Sequence, residues 1–359
     1  MIVSRTPFRL SFFGGGTDYP AWYREHGGAV LATSINKYCY LTCRYLPPFF
    51  EHSIRLVYSK IENCHTLDEI QHPAAREILR FSGIVRGVEI HHDGDLPAAS
   101  GMGSSSAFTV GLLHALHALK GRMPSKRQLA EESIHVEQNL VRETVGSQDQ
   151  VSAAFGGFNH IVFGTNGAID IRPVTLAEDR VTELNENLML FFTGVKRTAS
   201  TVADSYVDKL SSKRVALDTT RDLVDESLKI LVGQTDLARF GEMMHEGWRV
   251  KRTLSEHVTN PHIDELYDCA RAAGAIGGKI TGAGGGGFLL LYVPRDRQSR
   301  VRERLSTLIH VPFKFEHGGS QIIFFEPEED FSRQEADRAN RTLGPFRELT
   351  LNTKSSPVR

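Results

Sequence analysis

The sequence predicts an α+β protein with two domains, on the basis of three observations. The chain has 359 residues, which is more than one small core organises. Strand patterns dominate up to residue 92, and a strongly helical segment follows them. A second series of strand and helix patterns begins after the polar stretch 177–187. Separate runs of strands and helices are typical of the α+β class. We predict an N-terminal domain at 1–180, a C-terminal domain at 181–345 and a polar tail at 346–359.

Strand patterns recur through the N-terminal part, beginning with the alternation of Phe8, Leu10 and Phe12 with Arg9 and Ser11. They are 8–12, 29–35, 37–46, 54–59, 88–92, 158–163 and 170–174. Leucines at helical spacing predict a helix over 105–120, which ends where Gly121 suits a C-cap. A second predicted helix begins near Ser125 and runs past Leu140.

The C-terminal part begins with an apolar run that predicts a buried strand at 188–192. Several long helical segments follow it up to residue 273. Further strands are predicted at 288–293, 311–316 and 321–325, with a helical stretch over 298–308.

Composition excludes several functional classes. Lys and Arg number 42 against 43 Asp and Glu, so the net charge of −1 argues against a nucleic-acid protein acting through a general positive field. The four cysteines lack zinc-site spacing and favour reduced thiols in a cytoplasmic protein. The N-terminus has no signal-peptide core, and no apolar run is long enough to span a membrane. We expect neither a nucleic-acid nor a membrane partner, and the sequence does not determine the oligomeric state.

The most informative segment is Pro-Ala-Ala-Ser-Gly-Met-Gly-Ser-Ser-Ser at 97–106. We refer to residues 98–106 as the Gly-Ser loop. Gly101 and Gly103 allow a ligand to approach the backbone, and the serines open a helix whose free N–H groups attract phosphate. The alternative is a turn with a serine N-cap, which needs only one such residue. The segment is not a Walker A loop, because no Gly-Lys-Ser/Thr follows.

A second glycine-rich segment, the Gly loop, spans residues 282–287 and matches the pattern G-x-G-x-x-G. A dinucleotide fingerprint must open a helix, whereas the residues after this loop predict a strand. We therefore reject a dehydrogenase. A tight connection between strands and a wall of a ligand site remain equal alternatives.

Two carboxylates are candidates for chemistry. Helical spacing places Glu137 on or beside an apolar stripe, where it needs a partner such as Mg²⁺. On spacing alone, a glutamate at the stripe edge that reaches solvent or pairs with Arg142 is the better interpretation. Asp149 lies among small and amide residues, a suitable place to accept a proton from a hydroxyl, although a loop or cap aspartate fits equally.

The N-terminal segment offers a third candidate. Arg9 precedes Gly14-Gly-Gly-Thr-Asp18, where Thr17 and Asp18 are able to hydrogen-bond sugar hydroxyls. The alternative for these residues is a tight turn. Arg9 either offsets phosphoryl charge or forms a surface ion pair.

Together these segments resemble the GHMP small-molecule kinases, named for galacto-, homoserine, mevalonate and phosphomevalonate kinases. Three segments, 7–18, 97–107 and 279–287, resemble the three family motifs in order. The resemblance implies an N-terminal α/β domain of the ribosomal S5 domain 2-like type and a C-terminal ferredoxin-like domain, with the active site between them. It implies phosphoryl transfer from ATP to a hydroxyl group.

The resemblance also implies roles for individual residues. Asp149 matches the catalytic aspartate and Arg9 its basic neighbour, while Ser105 and Glu137 match the Mg²⁺ ligands. The expected contacts to the ATP phosphates are Gly101, Met102, Gly103, Ser104, Ser105 and Ser106. The expected substrate contacts are Gly16, Thr17, Asp18, Gln148, Gly284 and Gly285, with Lys196 and Arg197 as a candidate phosphate clamp. A solvated basic pair is at least as good an interpretation of Lys196 and Arg197.

The choice of substrate depends on the first motif. Galactokinases usually carry Gly-Glu-His-Thr-Asp-Tyr where this chain has Gly-Gly-Gly-Thr-Asp-Tyr at 14–19. That form is more similar to the branch of heptose 7-phosphate kinases and fucokinases, and a catalytic domain without a fused pyrophosphorylase favours the former. The expected reaction is phosphorylation of D-glycero-D-manno-heptose 7-phosphate at its anomeric hydroxyl, giving the 1,7-bisphosphate for nucleotide-activated heptose synthesis. The alternatives are a kinase for L-fucose or a hexose, and a catalytically silent sugar- or nucleotide-binding member.

Overall fold

The computed structural model describes residues 1–84, 87–195, 205, 210, 212–327, 329, 331, 333–334 and 337. Within these residues, strands form two separate sheets. The strands that precede the middle of the chain are β1 (Ile2–Phe13), β2 (Gly28–Tyr45), β3 (Ile54–Val57), β4 (Ile61–Cys64), β5 (Val88–Gly94), β6 (Phe158–Phe163) and β7 (Ile169–Pro173). The later ones are β8 (Leu188–Phe192), β9 (Gly277–Ile280), β10 (Phe288–Tyr292), β11 (Ile309–His310), β12 (Phe315–Glu316) and β13 (Gln321–Phe325).

The N-terminal sheet is built around the long strand β2. The strand order is β13-β1-β2-β5-β3-β4, and β2 also pairs with β6 and β12. The sequence predicts two strands where the structure has this single one. The register with β1 shifts between Pro7 and Phe8, so Asn36 and Lys37 lie in a bulge. This polar bulge interrupts the alternation and explains the predicted break.

The helices of this part of the chain are α1 (Pro20–His26), α2 (Pro73–Phe81), α3 (Ser104–Leu119), α4 (Lys126–His135), α5 (Gln148–Phe155) and α6 (Glu178–Glu186). Of these, α3 and α5 pack on β1 and β2, whereas α6 packs on β8. The central helix α3 packs closely on the sheet at Gly111, where an added Cβ would lie 2.8 Å from Thr6 Oγ1. The Ser4 hydroxyl donates to the Gly111 carbonyl at 2.9 Å. These contacts determine where the N-terminus of α3 lies relative to β1.

The second predicted helix of the N-terminal part changes character before it ends. After α4, residues Val136–Val141 form a π-helical turn, and Arg142 then adopts a left-handed conformation with φ 64°. Single π-helical turns often occur at functional sites, because the extra residue changes the direction of the side chains. Glu137 lies in this turn.

The C-terminal domain has an antiparallel sheet in the order β11-β8-β10-β9. Its helices are α7 (Arg214–Val232), α8 (Ala238–Arg252), α9 (Pro261–Ala273) and α10 (Gln298–Arg304). With its four strands numbered in chain order, the sheet reads 4-1-3-2. Helices separate the first from the second and the third from the fourth, which is the ferredoxin-like arrangement. The predicted fold class is thus the one that the structure has.

The boundaries of the two domains differ from the predicted ranges. Residues 315–316 and 321–325 fall in the range assigned to the C-terminal domain, but β12 pairs with β2 and β13 pairs with β1. The predicted strand 311–316 is reduced to β12, and the polar stretch 177–187, where the predicted boundary between the domains falls, contains α6. Periodicity identifies a strand but carries no information about its partner, which explains the difference.

The structure also bears on the cysteines and on membrane segments. Among the described residues Cys39, Cys43 and Cys64 are buried free thiols, and Cys269 is an exposed one. In the described part of the chain, we find no helix with both the length and the apolar character that a bilayer crossing requires.

Candidate active site

The two domains enclose a cleft with a cavity volume of 340 Å³. One wall comes from the N-terminal domain and consists of β1, the Gly-Ser loop and residues 143–149. The other wall comes from α7, α8, Lys279 and the Gly loop. A cleft between two domains is a common place for a small-molecule site.

The Gly-Ser loop presents the N-terminus of α3 to this cleft. Gly101 and Gly103 have φ values of 76° and 74°, so both require the left-handed region that glycine tolerates. Gly103 is the N-cap residue, and no side chain caps the helix. The amide groups of the first turn therefore remain available to an anion, and the positive end of the helix dipole favours one.

The structure places most of the predicted phosphate contacts along the cleft. Gly101, Gly103, Ser104, Ser105 and Ser106 line it. The Met102 side chain is buried in the core beneath the loop, and the Met102 carbonyl accepts a hydrogen bond from the Arg9 amide at 3.1 Å. The side chain of Met102 therefore supports the loop from the core and does not line the cleft.

The Gly loop packs directly on the Gly-Ser loop. An added Cβ at Gly282 would lie 2.5 Å from Gly101 Cα, and one at Gly287 would lie 2.1 Å from the Ser100 carbonyl oxygen. Gly282, Ala283, Gly284 and Gly286 also line the cleft, whereas Gly285 turns away and donates its amide to the Val258 carbonyl. Both alternatives left open by the sequence are therefore realised: the loop joins β9 to β10 and forms a wall of the cleft.

Replacement of Gly282 by alanine tests this close approach. At Gly282 (φ 65°) the new methyl group meets the backbone of Gly101, whereas at Gly167 (φ 84°) it meets nothing within 4 Å. We expect Gly167→Ala to cost about 1 kcal/mol from backbone strain alone. Gly282→Ala should cost a further ~1–3 kcal/mol of unfolding free energy from overpacking, and it should also weaken nucleotide binding. Urea denaturation and calorimetry measure both effects, and equal losses for the two variants would contradict the close packing.

A bidentate ion pair joins β1 to the start of α5. Arg9 Nε donates to Asp149 Oδ1 and Arg9 Nη2 to Asp149 Oδ2, each at 2.7 Å. Arg9 Nη1 also donates to the Gly101 carbonyl at 2.7 Å. Asp149 lies beside the N-cap of α3, because an added Cβ at Gly103 would be 3.5 Å from Asp149 Oδ2. Arg9 thus holds a partly exposed carboxylate next to the anion site at the helix start.

Asp18 lies in the same cleft but is almost completely buried, with 1% exposure. Its Oδ1 accepts the Gly16 amide at 3.0 Å, and its Oδ2 accepts Gln148 Nε2 at 3.0 Å. Burial raises the pKa of Asp18, and the negative charge of Asp149 raises it further. The two carboxylates therefore share one electrostatic environment.

The structure brings together only some of the predicted substrate contacts. Gly16, Asp18, Gln148 and Gly284 line the cleft. Thr17 does not, because it is buried and its hydroxyl donates to the carbonyls of Gly14 and Ala29 at 2.8 and 3.0 Å. These hydrogen bonds of Thr17 stabilise the turn instead. Lys196 and Arg197, the predicted phosphate clamp, lie outside the described residues.

Glu137 is buried beneath the first turn of α3, with 1% exposure. Its Oε2 accepts hydrogen bonds from the Ser106 hydroxyl, at 2.9 Å, and from the Gln150 amide. Ser105, which the sequence predicts as a Mg²⁺ ligand together with Glu137, is exposed along the cleft, and the direct contact to Glu137 comes from Ser106. Consecutive helical residues point about 100° apart, so only one of them faces Glu137. The interpretation that spacing alone favoured, a Glu137 that reaches solvent or pairs with Arg142, is therefore wrong. Glu137 is buried and hydrogen-bonded to Ser106.

The environment of Glu137 fits a divalent cation. Burial raises the pKa of Glu137 to about 7, despite the hydrogen bonds that favour its charged form. Its Oε1 is buried and accepts no hydrogen bond from the described residues. Within the described residues no cluster of three or more His, Cys, Asp or Glu side chains forms a metal site. Mg²⁺ does not need one, since it binds through one or two protein oxygens together with phosphate oxygens.

Two functional candidates were missed by the sequence interpretation. Lys251 in the last turn of α8 and Lys279 in β9 both line the cleft opposite the N-terminal wall. Lys279 interrupts an otherwise apolar buried strand, and that charge among small and apolar residues is the signal that was available. Lys251 lies in a helix end rich in basic residues, so its spacing gives no such signal.

Family comparison agrees with this geometry. Residues 69–157 match the family model described as GHMP kinases N terminal domain, and residues 228–310 match the one described as GHMP kinases C terminal. The chain belongs to the GHMP kinase family. The first match contains the Gly-Ser loop, Glu137 and Asp149, and the second contains Lys251, Lys279 and the Gly loop. The predicted family, fold and kinase class are confirmed, and the GHMP kinases use ATP as phosphate donor.

Individual GHMP kinases resemble the chain over most of its length. A D-glycero-alpha-D-manno-heptose 7-phosphate kinase from Campylobacter jejuni is 27% identical over 85% of this chain and 93% of its own. A bifunctional fucokinase/GDP-fucose pyrophosphorylase from Arabidopsis thaliana is 25% identical over 83% of this chain but only 30% of its own. A crystal structure of a D-glycero-D-manno-heptose 1-phosphate kinase from Bacteroides thetaiotaomicron superposes with a TM-score of 0.75 at 23% identity, covering 91% of this chain and 100% of that one.

Proposed function

We propose that this GHMP kinase transfers a phosphoryl group from ATP to the anomeric hydroxyl of D-glycero-D-manno-heptose 7-phosphate, giving the 1,7-bisphosphate. The observation that carries the kinase chemistry is the Arg9–Asp149 ion pair beside the uncapped N-terminus of α3. The choice of substrate rests on the Campylobacter jejuni relative, which matches 85% of the chain and is named for this sugar phosphate.

The donor side of the proposed reaction uses the Gly-Ser loop. The amides of Ser104, Ser105 and Ser106 have no intrahelical acceptor, and they hold the phosphate oxygens of ATP. Glu137, with the serine hydroxyls of this turn, would hold Mg²⁺, which supplies charge neutralisation of the phosphates when bound. Gln150 keeps the Glu137 carboxylate oriented.

The acceptor side uses the two aspartates. Asp149 accepts the proton of the attacking sugar hydroxyl as the new bond from that oxygen to the γ-phosphorus forms. The bond between the γ-phosphorus and the bridging oxygen breaks, and ADP leaves with that electron pair. Arg9 maintains the orientation of Asp149 and lies close enough to the helix start to offset developing phosphoryl charge. Asp18, fixed by Gly16 and Gln148, accepts hydrogen bonds from the sugar hydroxyls.

A kinase for L-fucose is the second candidate, because the Arabidopsis thaliana relative contains a fucokinase and the chain matches 30% of that longer protein. A silent binding protein is a third. Arg9 holds the Asp149 carboxylate and the Gly101 carbonyl in place beside the helix start, and this arrangement favours an active enzyme.

A transfer assay with radiolabelled ATP distinguishes these candidates. We expect label to appear on heptose 7-phosphate with a kcat/KM at least about 100-fold above the values for L-fucose and galactose, as expected when a site is built for a group that the competitors lack. Fastest transfer to L-fucose or galactose would overturn the proposed substrate. Absence of transfer to every sugar, in a protein that binds ATP, would overturn the proposed activity.

A further inference from the structure

Two lysine side chains line the C-terminal wall of the cleft. Lys279 is buried, at 8% exposure, and its Nζ donates to the carbonyls of Ser11 and Phe12, each at 2.9 Å. Lys251 is partly buried, and its Nζ donates to the carbonyl of Ile280 at 3.3 Å and to that of Gly282. Both side chains line the cleft. Since an ammonium group has three donors, each lysine retains one N–H beyond these bonds.

Neither ammonium group has an anionic partner within the described residues. No described carboxylate forms a salt bridge with Lys251 or Lys279, and the carbonyls that accept from them are neutral. The charged groups that face Lys279 are Arg9, Asp18 and Lys251. The Asp149 carboxylate is already occupied by Arg9, and Glu143, the other described acidic residue along the cleft, forms no ion pair with either lysine. The cleft therefore contains two buried ammonium groups that form no ion pair with its own described carboxylates.

A buried charge without a partner lowers the stability of the folded protein, so such charges are rare unless a bound ligand neutralises them. Burial and the nearby Arg9 lower the pKa of Lys279 to about 7, although Asp18 acts in the opposite direction. Burial also lowers the pKa of Lys251 well below its ordinary value, with Lys279 and Arg9 adding to the effect. Strongly shifted groups in a cleft are typical of functional sites.

We propose that Lys251 and Lys279 together bind a phosphoryl group in the cleft. The proposal rests on the proposed function, because the two available sources are the phosphate ester carried by the sugar and the terminal phosphoryl group of ATP. Both present anionic oxygens that accept from the free N–H of each lysine. The two walls of the cleft then bind phosphate through different groups. Backbone amides bind it on the N-terminal wall, and side-chain ammonium groups bind it on the C-terminal wall.

A titration with sulfate tests the site in the unaltered protein. Sulfate keeps a constant charge over the pH range used, so a change in its affinity reports on the protein. Because the ammonium form binds the anion, sulfate affinity should fall by about 10-fold or more between pH 6 and pH 9, as Lys279 loses its proton around pH 7. Sulfate binding should also take up protons, measured by calorimetry in buffers of different ionisation enthalpy. An affinity that is independent of pH would overturn the proposal.

Variants identify the source of the phosphoryl group. We would measure the binding of heptose 7-phosphate against unphosphorylated heptose, and of AMPPNP against ADP, in Lys251→Met and Lys279→Met. A decrease of about 10-fold or more in one of these two affinity ratios supports the site. A decrease in the first ratio identifies the sugar phosphate as the ligand, and a decrease in the second identifies the terminal phosphoryl group of ATP. Lys126→Met is the control, since Lys126 Nζ also donates to a backbone carbonyl, that of Phe155, but lies outside the cleft. Retention of both affinity ratios in both variants would overturn the proposal.

Sulfate binding by Lys251 and Lys279 does not require kinase activity. Calorimetry detects binding in a protein that transfers no phosphate, so a failed kinase assay leaves the sulfate result intact. Lys279→Arg retains the charge and should keep the sulfate affinity, whereas Lys279→Met should lose it. If Lys279→Met fails to fold, Lys251→Met and the pH titration of the unaltered protein still decide the matter.

Discussion

Asp149→Asn should lower kcat by about 10²–10⁴-fold, which is the range for loss of a general base. Asparagine has nearly the shape of aspartate but does not accept the proton of the attacking hydroxyl. Nucleotide affinity should change little, because the amides of the Gly-Ser loop and the Arg9 bond to the Gly101 carbonyl remain. Steady-state kinetics and calorimetry with AMPPNP measure the two effects separately.

The chain offers a closely matched control in Asp264. This residue also lies in the first turn of a helix and pairs with an arginine, since Arg252 Nη2 donates to its Oδ2 at 2.9 Å. Its side chain is 29% exposed, against 26% for Asp149, but it lies outside the cleft. Asp264→Asn should leave kcat unchanged. Near-normal turnover in Asp149→Asn would remove the residue from its proposed role.

Glu137→Gln should have opposite effects on activity and stability. We expect kcat with MgATP to fall by about 10²–10³-fold, because neutralisation of phosphate charge by a bound cation contributes several kcal/mol. Glu62→Gln is the control, as Glu62 is also a buried carboxylate, with 8% exposure, but lies outside the cleft. Unchanged Mg²⁺ dependence in Glu137→Gln would exclude Glu137 as a cation ligand.

In the presence of a chelator, the free energy of unfolding should be higher for Glu137→Gln than for the unaltered protein. The pKa of Glu137 is about 7 in the folded protein, against an ordinary value of 4.5. The folded state therefore retains a proton that the unfolded state releases, and the free energy of unfolding falls as the pH rises from 4.5 to 7. Glutamine removes this penalty, so the variant should be more stable by about 3 kcal/mol at pH 8 and equally stable at pH 4. Urea denaturation at the two pH values checks the sign.

Local sequence patterns were sufficient for the elements that depend on neighbours in the chain. The strand at 158–163, the strand at 188–192 and the helix beginning at the Gly-Ser loop agree with the predicted positions to within about one residue. Each depends on the apolar periodicity of a short segment or on a glycine that the helix start requires. Helices such as α6 escaped prediction, because a mostly polar surface helix with one buried leucine lacks a strong apolar stripe.

The sequence by itself determined the fold class, the family motifs and the candidate residues Arg9, Glu137 and Asp149, because spacing and residue type within short segments specify these. Only the tertiary structure decided which side chains meet. Arg9 and Asp149 are 140 residues apart, and Lys279 and Ser11 are 268 residues apart. It also decided that Ser106 rather than Ser105 contacts Glu137, and that β13 pairs with β1. Such contacts depend on how whole sheets and helices pack, and periodicity along one segment contains no information about its distant partner.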